Sequence, residues 1–204
     1  MLIKICGIKD IEAARAAEEA GADFIGFILS PVSRRYVEPE KAAEICRGVS
    51  RIKKVGVFVN AAVEYVNNTA KLCGLDYVQL HGRESADYAA KIEYPLIKAF
   101  RYGDDFFLEA ADSYPAEIIL LDSFTKDEWG GTGRAFGWKK AAIEAGRLTK
   151  PFFVAGGIST ENALEAISIF NPAGLDASGS LEDDAGNKSP EKIRDYIELL
   201  KRST

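Results

Sequence analysis

A thiol, two carboxyl groups and an imidazole stand where short apolar runs end. Cys6 closes the run Leu2–Cys6 and Asp122 follows Ile118–Leu121. His81 follows Asp76–Leu80, and Asp176 lies within Leu175–Ala177. Such groups, held across a cleft from one another, are the equipment of general acid–base chemistry. Cys6 alone admits four roles: packing, metal ligation, redox chemistry and catalysis. The cysteines are Cys6, Cys46 and Cys73, an odd count without CxxC spacing, which argues against a disulfide framework and a structural zinc site. His81 is the single histidine, so a His-rich metal centre cannot be built and no metal is expected. What remains for Cys6 is a proton-abstracting thiolate or a packed thiol. Cys46 and Cys73 fall in helical stretches and read as packed small apolar residues. Residues two apart on a strand share a face, so Lys4 belongs on the face of Cys6, and Gln79 on that of His81. Lys98 adds a further interior charge. Buried charges need partners, which predicts a Lys–Asp network beneath the site.

A second chemistry is written in glycines. "VAGGIST" places Gly156 and Gly157 after an apolar run and just before a helix start; "DASGSLE" places Ser178, Gly179 and Ser180 after the last run. Backbone N–H groups of such loops, backed by a helix N-terminus, hold phosphate. "GGTG", Gly130 to Gly133, flanked by Trp129 and Phe136, predicts a lid that closes over a ligand.

These residues need a frame. Apolar runs are expected as strands at Leu2–Cys6, Asp23–Ile28, Lys54–Val59, Asp76–Leu80, Leu96–Phe100, Ile118–Leu121, Phe152–Ala155 and Leu175–Ala177. They are rich in Ile, Val, Leu and Phe, as buried parallel strands are. Amphipathic stretches lie between them. Asp10 and Ser189 are expected helix caps, Ser159 or Thr160 caps "ENALEAISIF", and Gly21 ends the first helix. The phrases "AGADFIGF", "CGLDYVQL" and "AGLDASG" repeat a glycine, an aspartate and a strand, with βα units of roughly 20–35 residues. Eight such units predict an α/β fold: one compact (β/α)8 barrel over residues 1–204, with a doubly wound open sheet as runner-up. Barrel enzymes carry their active sites at the C-terminal ends of the strands. The two longest βα connections, "SPVSRRYVEPE" and "DSFTKDEWGGTGRAFGW", belong to that end.

Composition narrows the class. The chain has 204 residues, 47% of them hydrophobic, and a net charge of −5. No basic stripe suits a nucleic acid, and no polybasic run suits a membrane surface. The N-terminus lacks the pattern of a signal peptide, and no apolar window approaches a membrane span. A reducing cytoplasm is expected. No long exposed apolar helix announces an oligomer.

The motifs "KICGI", "GADFIGF", "SPVSRRYV", "VGVFVN", "VQLHG", "LLDS", "GGTGRAFGW", "AGGIS…N" and "LDASGSLE" run in this order along the whole chain. In this set and order the chain resembles the phosphoribosylanthranilate isomerase family of tryptophan biosynthesis. "KICGI", "VQLHG" and "GGTG-x-x-F-x-W" are the specific elements. The resemblance implies a (β/α)8 barrel, no cofactor and a small phosphorylated substrate. The implied reaction is the Amadori rearrangement of N-(5-phosphoribosyl)anthranilate to 1-(2-carboxyphenylamino)-1-deoxyribulose 5-phosphate. It makes Cys6 the general base and Asp122 the general acid. Arg35, just before Tyr36 and Val37, would bind the anthranilate carboxylate. Gly156, Gly157, Ser178 and Gly179 would hold phosphate, with Asp176 and His81 counted among the substrate-binding residues. The family's last loop usually reads Asp-Val-Ser-Ser-Gly-Val-Glu; in Asp176–Glu182 the glycine stands one place earlier. The acid needs its pKa above the carboxylate reference near 3.9, and the base needs its own below the thiol's value of about 8.5.

Two other functions compete with this one. The histidine-pathway isomerase performs the same rearrangement with two aspartates and two phosphate sites. Here the first run ends in Cys6, and "VFVNAAVEY" offers no matching glycine-rich loop. A non-catalytic binder of phosphorylated ligands would need neither Cys6 nor Asp122.

Overall fold

Strands made of Ile, Val, Leu and Phe must be covered on both faces, and alternating helices supply the cover. The computed structural model describes residues 1–102, 108–122 and 134–203. In chain order the elements are β1 Leu2–Cys6, α1 Ile11–Ala20, β2 Phe24–Ile28, α2 Pro39–Arg47, β3 Lys53–Phe58, α3 Val63–Cys73, β4 Tyr77–Leu80 and α4 Ala86–Ala89. They continue with β5 Leu96–Arg101, α5 Leu108–Ser113, β6 Ile118–Asp122, α6 Arg134–Ala145, β7 Phe152–Ala155, α7 Ala163–Phe170, β8 Gly174–Ala177 and α8 Pro190–Arg202.

The strands pair in sequence order, all parallel, and β1 also pairs with β8, so the sheet closes on itself. The open-sheet alternative is thereby excluded, and the fold is a (β/α)8 barrel. Alternation sorts the side chains. Phe24, Val55, Ile97, Ala99, Ile118, Leu120, Phe153 and Ala155 form one buried cluster inside the barrel. Phe24 meets Tyr77 and Phe153 edge to face, each at a ring distance of 5.7 Å. The opposite strand faces, among them Ile5, Ile25, Leu80 and Val154, pack under the helices. Each such side chain contributes roughly 1.5–3 kcal/mol by leaving water.

The helices begin and end for local reasons. Asp10 accepts a hydrogen bond from Ala13 N, and Gly21 closes α1 in the left-handed region. Ser189 caps α8 by accepting from Lys192 N, with Pro190 in the first turn. The expected cap of α7 is corrected. That helix starts at Ala163 with Asn162 as its cap residue, not at Ser159 or Thr160. Asn162 accepts from Ser159 N at 2.9 Å and donates to Gly157 O at 3.0 Å, which holds 159–162 as a turn before the helix. Cys46 and Cys73 are buried in α2 and α3, as expected. The expected lid, residues 129–133, lies outside the described residues. No helix among the described residues is long and apolar enough to cross a membrane.

Candidate active site

Lys4 and Cys6 point into the barrel from β1, and the register sets Lys4 beside Asp176 of β8. Lys4 Nζ donates to Asp176 Oδ2 at 3.0 Å, and both side chains are buried. This is the expected Lys–Asp pair. Burial presses the ammonium down, but Asp176 and Cys6 outweigh it, so Lys4 is held above its ordinary range and stays charged. The other expected interior charge is corrected. Lys98 alternates with Ile97 and Ala99, which face inward, so it points outward into the helix layer. There Lys98 Nζ donates to Glu84 Oε2 at 2.8 Å and to Gly82 O at 2.6 Å.

Cys6 is buried, and its thiol has room because the neighbouring strand carries Gly26. A Cβ at Gly26 would lie 2.8 Å from Cys6 Sγ and 3.2 Å from Lys4 Nζ. A glycine inside a strand marks such a close approach, so the "FIGF" of β2 was the available signal. Gly7 has a different task from making room for the thiol. Its φ is +83°, and a Cβ there would meet Arg35 Cδ, Lys188 Nζ and Ser178 Oγ at 3.0–3.2 Å. Burial pushes the Cys6 thiol above its ordinary range, the Lys4 charge pulls against it, and Asp176 adds to the push. Burial wins, so Lys4 moderates a rise instead of producing a fall.

Asp122 ends β6 at the opposite wall, half-buried. His81 Nε2 lies 3.3 Å from Asp122 Oδ2, and His81 Nδ1 lies 2.9 Å from Gln79 Nε2. The main chain of His81 is anchored by its backbone N–H, which donates to Phe58 O at 2.9 Å. Burial pushes the Asp176 carboxyl above its ordinary range against the pull of Lys4, with His81 adding a smaller pull and Asp122 a smaller push.

Arg35 reaches the mouth from the loop after β2. Its Nε and Nη2 grip Glu182 as a fork, with Nη2 to Oε2 at 3.1 Å. Arg34 points out, its side chain 76% exposed against 21% for Arg35, and meets Glu182 only at 3.6 Å. Glu182 also accepts from the buried Lys188 Nζ at 2.8 Å. Burial would raise the Glu182 carboxyl, but Arg35 and Lys188 outweigh it and hold it below its usual range. Glu182 and Lys188 escaped the sequence reading because their charges sit in an ordinary-looking polar loop, far along the chain from Arg35.

The two small-residue loops lie side by side. Gly156 and Gly157 have φ of +85° and +83°, a geometry that favours glycine and turns the chain sharply after β7. Ser178 Oγ donates to Cys6 O at 2.9 Å, and Ser180 Oγ donates to Ile158 O at 2.6 Å, joining the β8 loop to the β7 loop. Gly179 opens a 3-10 turn, Gly179–Leu181, and a Cβ there would lie 2.9 Å from Arg35 Nη2. The early glycine of this loop therefore leaves Arg35 its place. Cys6, Asp122, Arg35, His81, Asp176 and both loops thus gather at the C-terminal ends of the strands. A separate cavity of about 550 Å³ opens on the β4–β5 side, lined by Lys98, Phe100, Arg101 and Tyr114, and it shares His81 with this group.

Known proteins match the chain throughout. The family model described as N-(5'phosphoribosyl)anthranilate (PRA) isomerase covers residues 3–199. The N-(5'-phosphoribosyl)anthranilate isomerase of Geobacter metallireducens is 41% identical over 200 residues, 98% of each chain. The crystal structure of phosphoribosyl anthranilate isomerase from Thermotoga maritima superposes with a TM-score of 0.88 at 34% identity, over 99% of each chain. A further isomerase structure, in complex with reduced 1-(o-carboxyphenylamino)-1-deoxyribulose 5-phosphate, matches at 0.86 and 32%, over 99% of this chain and all of its own. The chain belongs to the N-(5'-phosphoribosyl)anthranilate isomerase family.

Proposed function

We propose that this isomerase carries out an Amadori rearrangement of N-(5'-phosphoribosyl)anthranilate, with Asp122 as general acid and Cys6 as general base. Asp122 gives its proton to the ring oxygen as the bond from that oxygen to C1' breaks. The nitrogen lone pair then forms the C1'=N iminium. Cys6 takes the C2' proton, and the C–H electrons form the C1'=C2' bond of an enolamine while the iminium electrons return to nitrogen. Proton loss from the enol hydroxyl and proton gain at C1' complete the ketose. Arg35 receives the anthranilate carboxylate, and the Gly156–Gly157 and Ser178–Gly179 loops receive the phosphate. Asp176 holds Lys4 at the base, and His81 borders the sugar beside Asp122. The ligand named for the related complex carries both a carboxyphenyl group and a 5-phosphate, which agrees with this division.

The observation that carries the proposal is the pairing of a buried thiol beside a charged ammonium with a carboxyl group on the far wall of the same mouth. The iminium intermediate brings a further positive charge to the thiol at the moment it must act as a base. Turnover is followed by loss of anthranilate-type fluorescence from phosphoribosylanthranilate. Cys6→Ala and Asp122→Asn should each lower kcat by about 10²–10⁴-fold with an unchanged melting temperature. Arg35→Ala should act mainly on KM. Near-normal turnover in both of the first two variants would sink the assignment.

A further inference from the structure

Gln79 is buried on β4, 1% exposed, and it uses its amide on His81 alone: Nε2 lies 2.9 Å from His81 Nδ1, while Oε1 is buried without a partner among the described residues. As placed, one N–H and Oε1 are left over; the opposite amide orientation would leave both N–H hydrogens unpaired, and an orphaned buried N–H is the rarer case, so the donor faces the ring. Nδ1 is then an acceptor, and in the neutral imidazole the proton must lie on Nε2. Nε2 is the nitrogen 3.3 Å from Asp122 Oδ2.

We propose that Gln79 is a positioning residue that fixes the tautomer of His81, so that the ring donates a hydrogen bond to Asp122. This rests on the acid role assigned to Asp122 above. The tautomer decides the sign of the effect. When Asp122 gives its proton to the ring oxygen, its carboxyl group becomes a carboxylate. An Nε2–H donor bonds best to that carboxylate, so the contact strengthens as the proton leaves and lowers the barrier. An Nδ1–H imidazole would present a lone pair to Asp122. That lone pair would bond to the protonated carboxyl group, stabilise the reactant and be lost on proton transfer. His81 lines the β4–β5 cavity together with Arg83 and Glu84 from its own loop and Lys98 and Arg101 from β5, and Asp176 of β8 also senses its charge.

The chain has one histidine, so the imidazole of the 15N-labelled protein gives a single set of long-range 15N–1H correlations. At a pH where the ring is neutral, the wild type should show a proton on Nε2 and a bare Nδ1. Gln79→Glu places an acceptor opposite Nδ1. It should draw a proton to Nδ1 and lower kcat about ten- to hundred-fold with KM little changed, the signature of a contact made in the transition state. Gln79→Met, which neither donates nor accepts strongly, should give mixed tautomers and an intermediate kcat. A wild-type ring carrying its proton on Nδ1 overturns the proposal, whether or not the variants fold. So does Gln79→Glu with an unchanged imidazole pattern, or with an effect confined to KM. Failure of the acid assignment is read elsewhere, as undiminished turnover in Asp122→Asn.

Discussion

Cys6 lives under opposed influences, and their balance sets the pH at which the proposed base could work. Burial raises the thiol and Lys4 restrains the rise, so the thiolate gains population as pH climbs through a pKa above the ordinary thiol value. Lys4→Met removes that restraint. The rising limb of kcat/KM against pH should move to more alkaline pH by about one unit or more, and the pH dependence of Cys6 alkylation should move with it. A limb that stays in place or moves to acid would refute the role of Lys4. Cys46 interferes little with the alkylation reading, since burial pushes its thiol up to about 12. At this scale the sequence was partly legible. Cys6, Asp122 and the Lys4–Asp176 pair could be placed because strand alternation fixes which side chains share a face. Glu182 and Lys188 could not, because their meaning lies in the contact that Glu182 makes with Arg35, distant along the chain.

The loops after β7 and β8 act as one element. Ser180 is the tie between them, through Ile158 O, and Asn162 braces the first loop from the start of α7. Ser180→Ala should loosen the proposed phosphate cradle without touching the proposed acid or base. One neutral hydrogen bond is worth about 1 kcal/mol net, so KM should rise about fivefold with kcat nearly unchanged. A fall in kcat at constant KM would contradict this. Strand positions were readable to within a residue or so, because double-sided burial demands unbroken apolar runs. The start of α7 was misread because Ser159 and Thr160 have the chemistry of a helix cap. Asn162 instead uses its side chain to close a turn onto the backbone of Ser159 and Gly157, which delays the helix.

Across the whole molecule, the wall that carries His81 is held by a buried ion pair in the helix layer. Glu84 accepts from Asn60 N at 2.8 Å, Gly82 N at 2.9 Å and Lys98 Nζ at 2.8 Å, and Tyr114 Oη from behind α5 donates to Glu84 O at 3.0 Å. Burial would raise the Glu84 carboxyl, yet Lys98 and the backbone donors hold it below its usual range. The stabilisation is therefore complete above the unfolded carboxylate value near 4.3 and is lost as pH falls through the lower folded value. Lys98→Met strands this carboxylate and should cost about 3–5 kcal/mol in denaturant unfolding. The excess loss should shrink in acid as Glu84 protonates, and a variant as stable as the wild type would refute the pair's importance. The barrel itself was legible from the period of the βα units, whereas the partner of Lys98 was not, because Glu84 stands in a polar loop after β4 that gives no sign of the contact. The closure of β1 onto β8 has a further consequence, in time. Lys4 meets Asp176 across 172 positions of chain. A ribosome therefore releases β1, with its cysteine, long before the carboxylate that pairs with Lys4 has been made. Until β8 emerges, the nascent chain carries an unsealed edge and an unpaired lysine, so the Lys4–Asp176 pair cannot form before β8 is made.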